Sequence, residues 1–139
     1  MCFGLIFHPF VNLTPHLQTI GGLTCDDTNF SMKANAFASA DREGIALVIP
    51  DTSPRGDDSV PNDDGYDLGK GAGFYIDATN EPWKTNYNMY SYITQELPML
   101  VQEHYGVGVN AKSICGHSMG GHGALTIGMK DPTSWASVR

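Results

Sequence analysis

The sequence predicts an α/β fold, a mostly parallel sheet with flanking helices, and three observations carry that expectation. Ile45-Ala46-Leu47-Val48-Ile49 is five consecutive apolar residues, mostly β-branched, as in a strand buried on both faces. Strand-like and helix-like stretches alternate in the order β-α-β-α-β-α-β, which suits parallel strands joined by crossover helices. The third is Gly116-His117-Ser118-Met119-Gly120, a Gly-x-Ser-x-Gly pattern between a short apolar run and a helix-compatible one.

Taken in order, residues 1–9 suit a short buried strand closed by Pro9, and His16 to Ile20 a second strand ending at Gly21-Gly22. Leu23 to Asp27 reads as a loop, followed by one helix from about Thr28 to Asp41. Phe30, Ala34, Phe37 and Ala38 give that helix an apolar stripe, and Gly44 stops it. The strand at 45–49 follows. Residues 50–83, rich in Asp, Gly and Pro, form a long irregular segment of the kind that commonly serves as a functional loop. A long helix is expected from about Asn86 to Tyr105, ended by Gly106 and kinked by Pro98, which removes the bond to Thr94. Ser113 to Cys115 is the next strand, Ala124 to Met129 lies in the helix after it, and Trp135 to Val138 begins another strand.

The Gly-x-Ser-x-Gly stretch is where chemistry is expected. In a nucleophile elbow a serine occupies a strained turn between strand and helix and presents its hydroxyl outward. Gly116 and Gly120 flank Ser118 at the two positions where a Cβ would collide. A glycine-rich turn with an incidental serine is the plainer reading, but strand before and helix after favour Ser118 as a nucleophile. Two other glycine- or acid-rich stretches fail their tests. Gly69 to Gly73 has no strand leading into it and is no phosphate loop, and Asn62 to Gly65 lacks the acidic first and glutamate twelfth positions of a calcium loop.

Composition narrows the partners. The 139 residues carry a formal charge of −7, which argues against nucleic acid or an anionic membrane surface. No run approaches the ~20 apolar residues of a membrane span. Met1 to Val11 is apolar but lacks a basic start and a small-residue cleavage site, so it is not read as a signal peptide. Three cysteines, Cys2, Cys25 and Cys115, are an odd number without metal-ligand spacing, which points to a reducing, cytoplasmic setting and no metal.

Several blocks together resemble the S-formylglutathione hydrolases, the esterase D family of α/β-hydrolases. They are Gly22 to Cys25, Pro50 to Gly56, Gly71 to Thr79, Glu81 to Pro98 and Gly116 to Leu125. The resemblance implies hydrolysis of S-formylglutathione to glutathione and formate, with cleavage of simple carboxylic esters, in formaldehyde catabolism. It implies a serine triad without cofactor, a small-molecule glutathione thioester as substrate, and a cytoplasmic homodimer. Residue by residue, Ser118 matches the nucleophile, and the backbone N–H groups of Met119 and Leu23 match the two oxyanion-hole donors. Cys25 matches a cysteine near the active site, although a small buried hydrophobe is an equally good reading of it.

The family's triad runs serine, aspartate, histidine along the chain. After Ser118 this sequence holds one acid, Asp131, and one histidine, His122. His117 and His122 match family positions other than the base. The expectation is therefore a partial α/β-hydrolase fold, one incomplete domain over residues 1–139 that bears the elbow, lacks the carboxyl-terminal part and is inactive alone. The alternative is a catalytically dead truncated isoform that acts as a binding or dimerising partner. Gln18-Thr19 also stands where the family has an aromatic pair.

Overall fold

A computed structural model describes residues 3–6, 15–108 and 110–139, the first four by their backbone. Most of the strand expected at 1–9 lies outside the described residues. Its described part is β1 (Phe3–Ile6), which pairs antiparallel with β3 (Ala46–Pro50). The other pairings are parallel: β2 (His16–Ile20) with β3, β2 with β4 (Lys112–Gly116), and β4 with β5 (Ser137–Val138). The strand order is β1-β3-β2-β4-β5. The parallel ladder expected from the sequence is thus present, with one antiparallel edge strand.

Alternation along the strands divides the core between the two faces of the sheet. Ile20, Ala46, Val48 and Ile114 face one side, against α4 (Leu97–Tyr105) and α5 (Met119–Lys130). Leu17, Leu47 and Ile49 face the other, against α1 (Asp27–Lys33) and α2 (Phe37–Glu43).

Two helices depart from the expectation. The single helix expected over 28–41 is two, because Asn35 takes φ +48° between them. Asparagine tolerates that left-handed conformation and a continuing α-helix does not. Asp26 caps α1, its side chain accepting the Thr28 N–H at 3.0 Å. The long helix begins at Met89 rather than Asn86, and Pro98 produces more than a kink. Between α3 (Met89–Ser91) and α4, residues Tyr92–Glu96 form a π-helical turn in which the Leu97 N–H reaches back five residues to the Tyr92 carbonyl. The wider turn makes room for the ring that an unbroken α-helix would exclude. The strand expected from Trp135 is confined to Ser137–Val138.

Candidate active site

Ser118 stands at the end of β4, with φ 56° and ψ −121°, and α5 begins at the next residue. This strained backbone is held on both sides by close approaches that only glycine permits. A Cβ on Gly116 would lie 2.2 Å from the carbonyl carbon and oxygen of Gly120. One on Gly120 would lie 2.0 Å from the carbonyl oxygen of Ile20 and 2.7 Å from that of Gly21. The elbow therefore nests directly on the backbone that leaves β2. Ser118 is exposed, as is its neighbour His117, while Met119 is buried in the core.

The loop after β2 comes to the same place. Gly22 is buried, and a Cβ there would touch the Ser118 Cβ and the His117 carbonyl oxygen, each at 3.4 Å. Several backbone groups of this loop are committed. The Gly21 carbonyl accepts the Tyr75 hydroxyl at 2.8 Å. The Gly22 carbonyl accepts the Cys25 N–H at 3.2 Å, and the Thr24 N–H donates to the Gly71 carbonyl at 2.9 Å. The Cys25 carbonyl accepts from the Thr52 hydroxyl and from Arg55 Nη2, the latter at 2.9 Å. Arg55 is itself fixed by Asp51, its Nε lying 2.9 and 2.8 Å from the two carboxylate oxygens. Among the described residues, the N–H groups of Gly22, Leu23 and Met119 make no hydrogen bond. Buried backbone donors are rarely left unpaired. Here the free N–H groups belong to Met119, next to Ser118 in the chain, and to Gly22 and Leu23, of which Gly22 approaches Ser118 closely.

The residues singled out from the sequence thus converge: Ser118, Met119, Gly116 and Gly120 in the elbow, with Leu23 and Cys25 in the loop against it. Cys25 carries a free thiol, and its Cβ would lie 3.5 Å from a Cβ built on Gly21. A cavity of about 410 Å³ opens beside them, lined by Gly22, Cys25, Phe30, Lys33, Cys115 and His117. Burial pushes the Cys115 thiol above its ordinary pKa, which disfavours a thiolate there. Among the described residues, no histidine or carboxylate hydrogen-bonds to the Ser118 hydroxyl. His122 meets Ser118 through the helix, its N–H donating to the Ser118 carbonyl at 3.0 Å. Also among them, no three His, Cys, Asp or Glu side chains gather as a metal set, and no helix is long and apolar enough to cross a membrane.

Periodicity did not find the supports of this loop. Asp51, Thr52, Arg55 and Tyr75 all lie in the irregular segment after β3, and the bonds of Thr52, Arg55 and Tyr75 to the loop span 27 to 54 positions. Asp51, Thr52 and Tyr75 are nonetheless buried in a segment dense with exposed Asp and Gly. The signals available were the blocks Pro50 to Gly56 and Gly71 to Thr79, which contain all four.

A parallel sheet with a strained serine at one strand's carboxyl end, helices on both faces and free backbone donors opposite defines an α/β-hydrolase-like esterase fold. The chain belongs to the putative esterase family, whose model matches residues 12–139. It is similar to the S-formylglutathione hydrolase of Mus musculus, 48% identical over 124 residues, an alignment covering 89% of this chain and 44% of the mouse protein. It superimposes on an S-formylglutathione hydrolase from Agrobacterium tumefaciens with a TM-score of 0.91 and 45% identity, over 96% of this chain and 49% of that one. Fluorophosphonate-binding serine hydrolase F of Staphylococcus aureus shares the fold, with a TM-score of 0.68 at 18% identity over 97% of this chain and 48% of that one. The chain spans about half the length of these relatives.

Proposed function

We propose that the chain is the elbow-bearing part of a single α/β-hydrolase domain whose Ser118 hydrolyses S-formylglutathione through a formyl-enzyme. The observation that carries this reading is the close approach of the Gly22 backbone to Ser118, which supports Leu23 and Met119 as the oxyanion donors. The names of the mouse and Agrobacterium relatives support the choice of thioester.

On this reading the reaction runs in two stages. Ser118 Oγ attacks the formyl carbon, and its proton passes to a general base. The carbonyl oxygen becomes an oxyanion that accepts hydrogen bonds from the Leu23 and Met119 N–H groups. Removing one such donor typically costs about 10²–10³ in kcat. Collapse breaks the carbon–sulfur bond, and the base returns the proton to the sulfur of departing glutathione. Water then attacks the formyl ester, gives its proton to the same base and releases formate, and Ser118 Oγ is reprotonated. An unassisted serine hydroxyl is a poor nucleophile at neutral pH. No imidazole among the described residues is bonded to Ser118, so residues 1–139 alone are expected to turn over little. The reading carries with it formaldehyde removal in the cytoplasm, a reducing setting that suits the free thiols of Cys25 and Cys115, and a homodimer.

Labelling with a fluorophosphonate probe, read by peptide mass spectrometry, tests the nucleophile, and formate release from S-formylglutathione tests the substrate. Labelling at Ser118, lost together with hydrolysis in Ser118→Ala, is expected. Labelling at another residue, or hydrolysis retained in Ser118→Ala, would overturn the assignment.

A further inference from the structure

The phenol of Tyr75 takes no part in those steps, yet it joins the two halves of the site. Tyr75 is 2% exposed, its hydroxyl donates to the Gly21 carbonyl at 2.8 Å, and its ring lies on α5. A Cβ on Gly123 would come within 2.5 Å of ring atom Cδ2 and 2.9 Å of Cγ, so the ring fills the space that glycine leaves. Reaching this position requires positive φ at two successive aromatic residues, 48° at Phe74 and 56° at Tyr75. Such a backbone is costly for bulky side chains and persists where its surroundings impose it, commonly at functional sites. The turn is held by the Gly73 N–H on the Thr52 carbonyl at 3.2 Å and the Ile76 N–H on the Gly73 carbonyl at 3.3 Å.

What Tyr75 holds is a peptide that would otherwise be loose. Gly21 and Gly22 are consecutive, and glycine has the widest backbone freedom of any residue. A peptide is planar with its C=O and N–H on opposite edges, so fixing the Gly21 carbonyl fixes the plane that leads to Gly22. The Gly22 carbonyl, held by Cys25, fixes the next plane and with it the Leu23 N–H. Among the described residues, Tyr75 Oη is the side-chain donor to this glycine pair; Thr52 and Arg55 act further along, at Cys25.

We propose that Tyr75 is a positioning residue, whose hydroxyl orients the Gly21-Gly22 backbone so that the Leu23 N–H faces Ser118 and whose ring ties this loop to the helix after the nucleophile. The inference rests on Leu23 being an oxyanion donor. Burial pushes the Tyr75 phenol far above its ordinary pKa, so it remains a donor across the neutral range.

The test is Tyr75→Phe in the intact protein, which deletes the hydroxyl and keeps the ring on Gly123. Two quantities are read: amide exchange at Thr24 and Cys25, and kcat and KM for S-formylglutathione. Exchange at these two amides should rise roughly fivefold while α5 keeps its parent protection and Tm falls by no more than about 4 °C, in line with loss of one ordinary hydrogen bond. In the same variant kcat should fall about tenfold at unchanged KM, a split that a general packing role would not give. Unchanged exchange at 24–25, a rise of the same size over the whole chain, or an unchanged kcat would each overturn the inference. Should the parent protein fail to hydrolyse the thioester, the substrate reading falls, and the exchange measurement still decides whether Tyr75 holds the loop.

Discussion

Gly120→Ala puts the elbow's packing to a quantitative test. The added Cβ would stand 2.0 Å from the Ile20 carbonyl oxygen, about 1.4 Å short of the 3.4 Å at which ordinary contact begins. It would also stand 2.7 Å from the Ile20 carbonyl carbon and the Gly21 oxygen. All three are backbone atoms, so no rotamer change relieves the clash. The turn out of β2 must shift, or α5 must lift from it. Overpacking of a well-filled site costs about 1–3 kcal/mol, and a backbone obstacle belongs at the upper end of that range. For a chain of this length each kcal/mol lowers Tm by about 4 °C, so a fall of about 8 °C or more is expected.

The neighbouring glycine supplies the control. A Cβ on Gly121 meets the Gly116 carbonyl oxygen at 3.3 Å and its carbon at 3.7 Å, tight but tolerable. Alanine also suits a helix better than glycine by about 1 kcal/mol, which offsets that contact. Gly121→Ala should therefore melt within about 4 °C of the parent. Thermal unfolding by circular dichroism gives both values. The shift forced by Gly120→Ala falls on Ile20 and Gly21, two residues and one residue before Gly22. Hydrolysis by the intact protein should then drop about 10²-fold, the usual consequence of a 1 Å misplacement of catalytic groups. Equal melting temperatures for the two variants, with activity retained in Gly120→Ala, would refute the nesting of the elbow on β2.

Arg55→Ala leaves the nearly buried Asp51 carboxylate without its ion pair and should cost about 1–3 kcal/mol, read as a lower urea midpoint; an unchanged midpoint would contradict the structural role of the pair. Tyr92→Phe should be neutral or slightly stabilising, because among the described residues the buried Tyr92 hydroxyl has no partner to lose; a fall in Tm above about 4 °C would show that a partner exists. Burial, partly opposed by the Gly108 carbonyl that accepts from Nδ1, holds the His16 imidazole below its ordinary pKa of 6.5. The unfolded chain then binds the proton more readily than the folded one. Stability from His16 is therefore fully present above about pH 6.5 and is lost as pH falls toward the lowered folded value. Melting curves from pH 7.5 to 5 should show that loss in the parent and less of it in His16→Gln; parallel curves would exclude His16 as the cause.

The elbow was legible in the sequence because its requirements are backbone requirements. A serine at positive φ between two close approaches needs glycine at Gly116 and Gly120, and no alternative residue type blurs that signal. The strand at 46–50 was legible for a different reason, since burial selects apolar residues whatever they touch. The break between α1 and α2 was hidden, because Phe30, Ala34 and Phe37 keep helical spacing across Asn35 while the backbone turns there. Pro98 announced a disturbance but not its form, because either a kink or a π-turn accommodates the ring. The supports of the loop were beyond reach, since a hydrogen bond from Tyr75 to Gly21 leaves no periodic trace across 54 positions.

The distribution of glycines also says where the site tolerates change. Gly120 against Ile20 and Gly123 against Tyr75 are contacts at which one added methyl reaches either backbone or a ring already fixed. On α5, Leu125 and Met129 lie two and six residues beyond Gly123 and are 52% and 73% exposed. Polar replacement at Leu125 or Met129 removes little buried area and strains no backbone, so it should leave both stability and Ser118 labelling near the parent values. The sensitivity of this helix thus resides on the face that meets β2 and Tyr75. That is a property of close backbone approach rather than of hydrophobic burial, because the most intolerant positions carry no side chain at all.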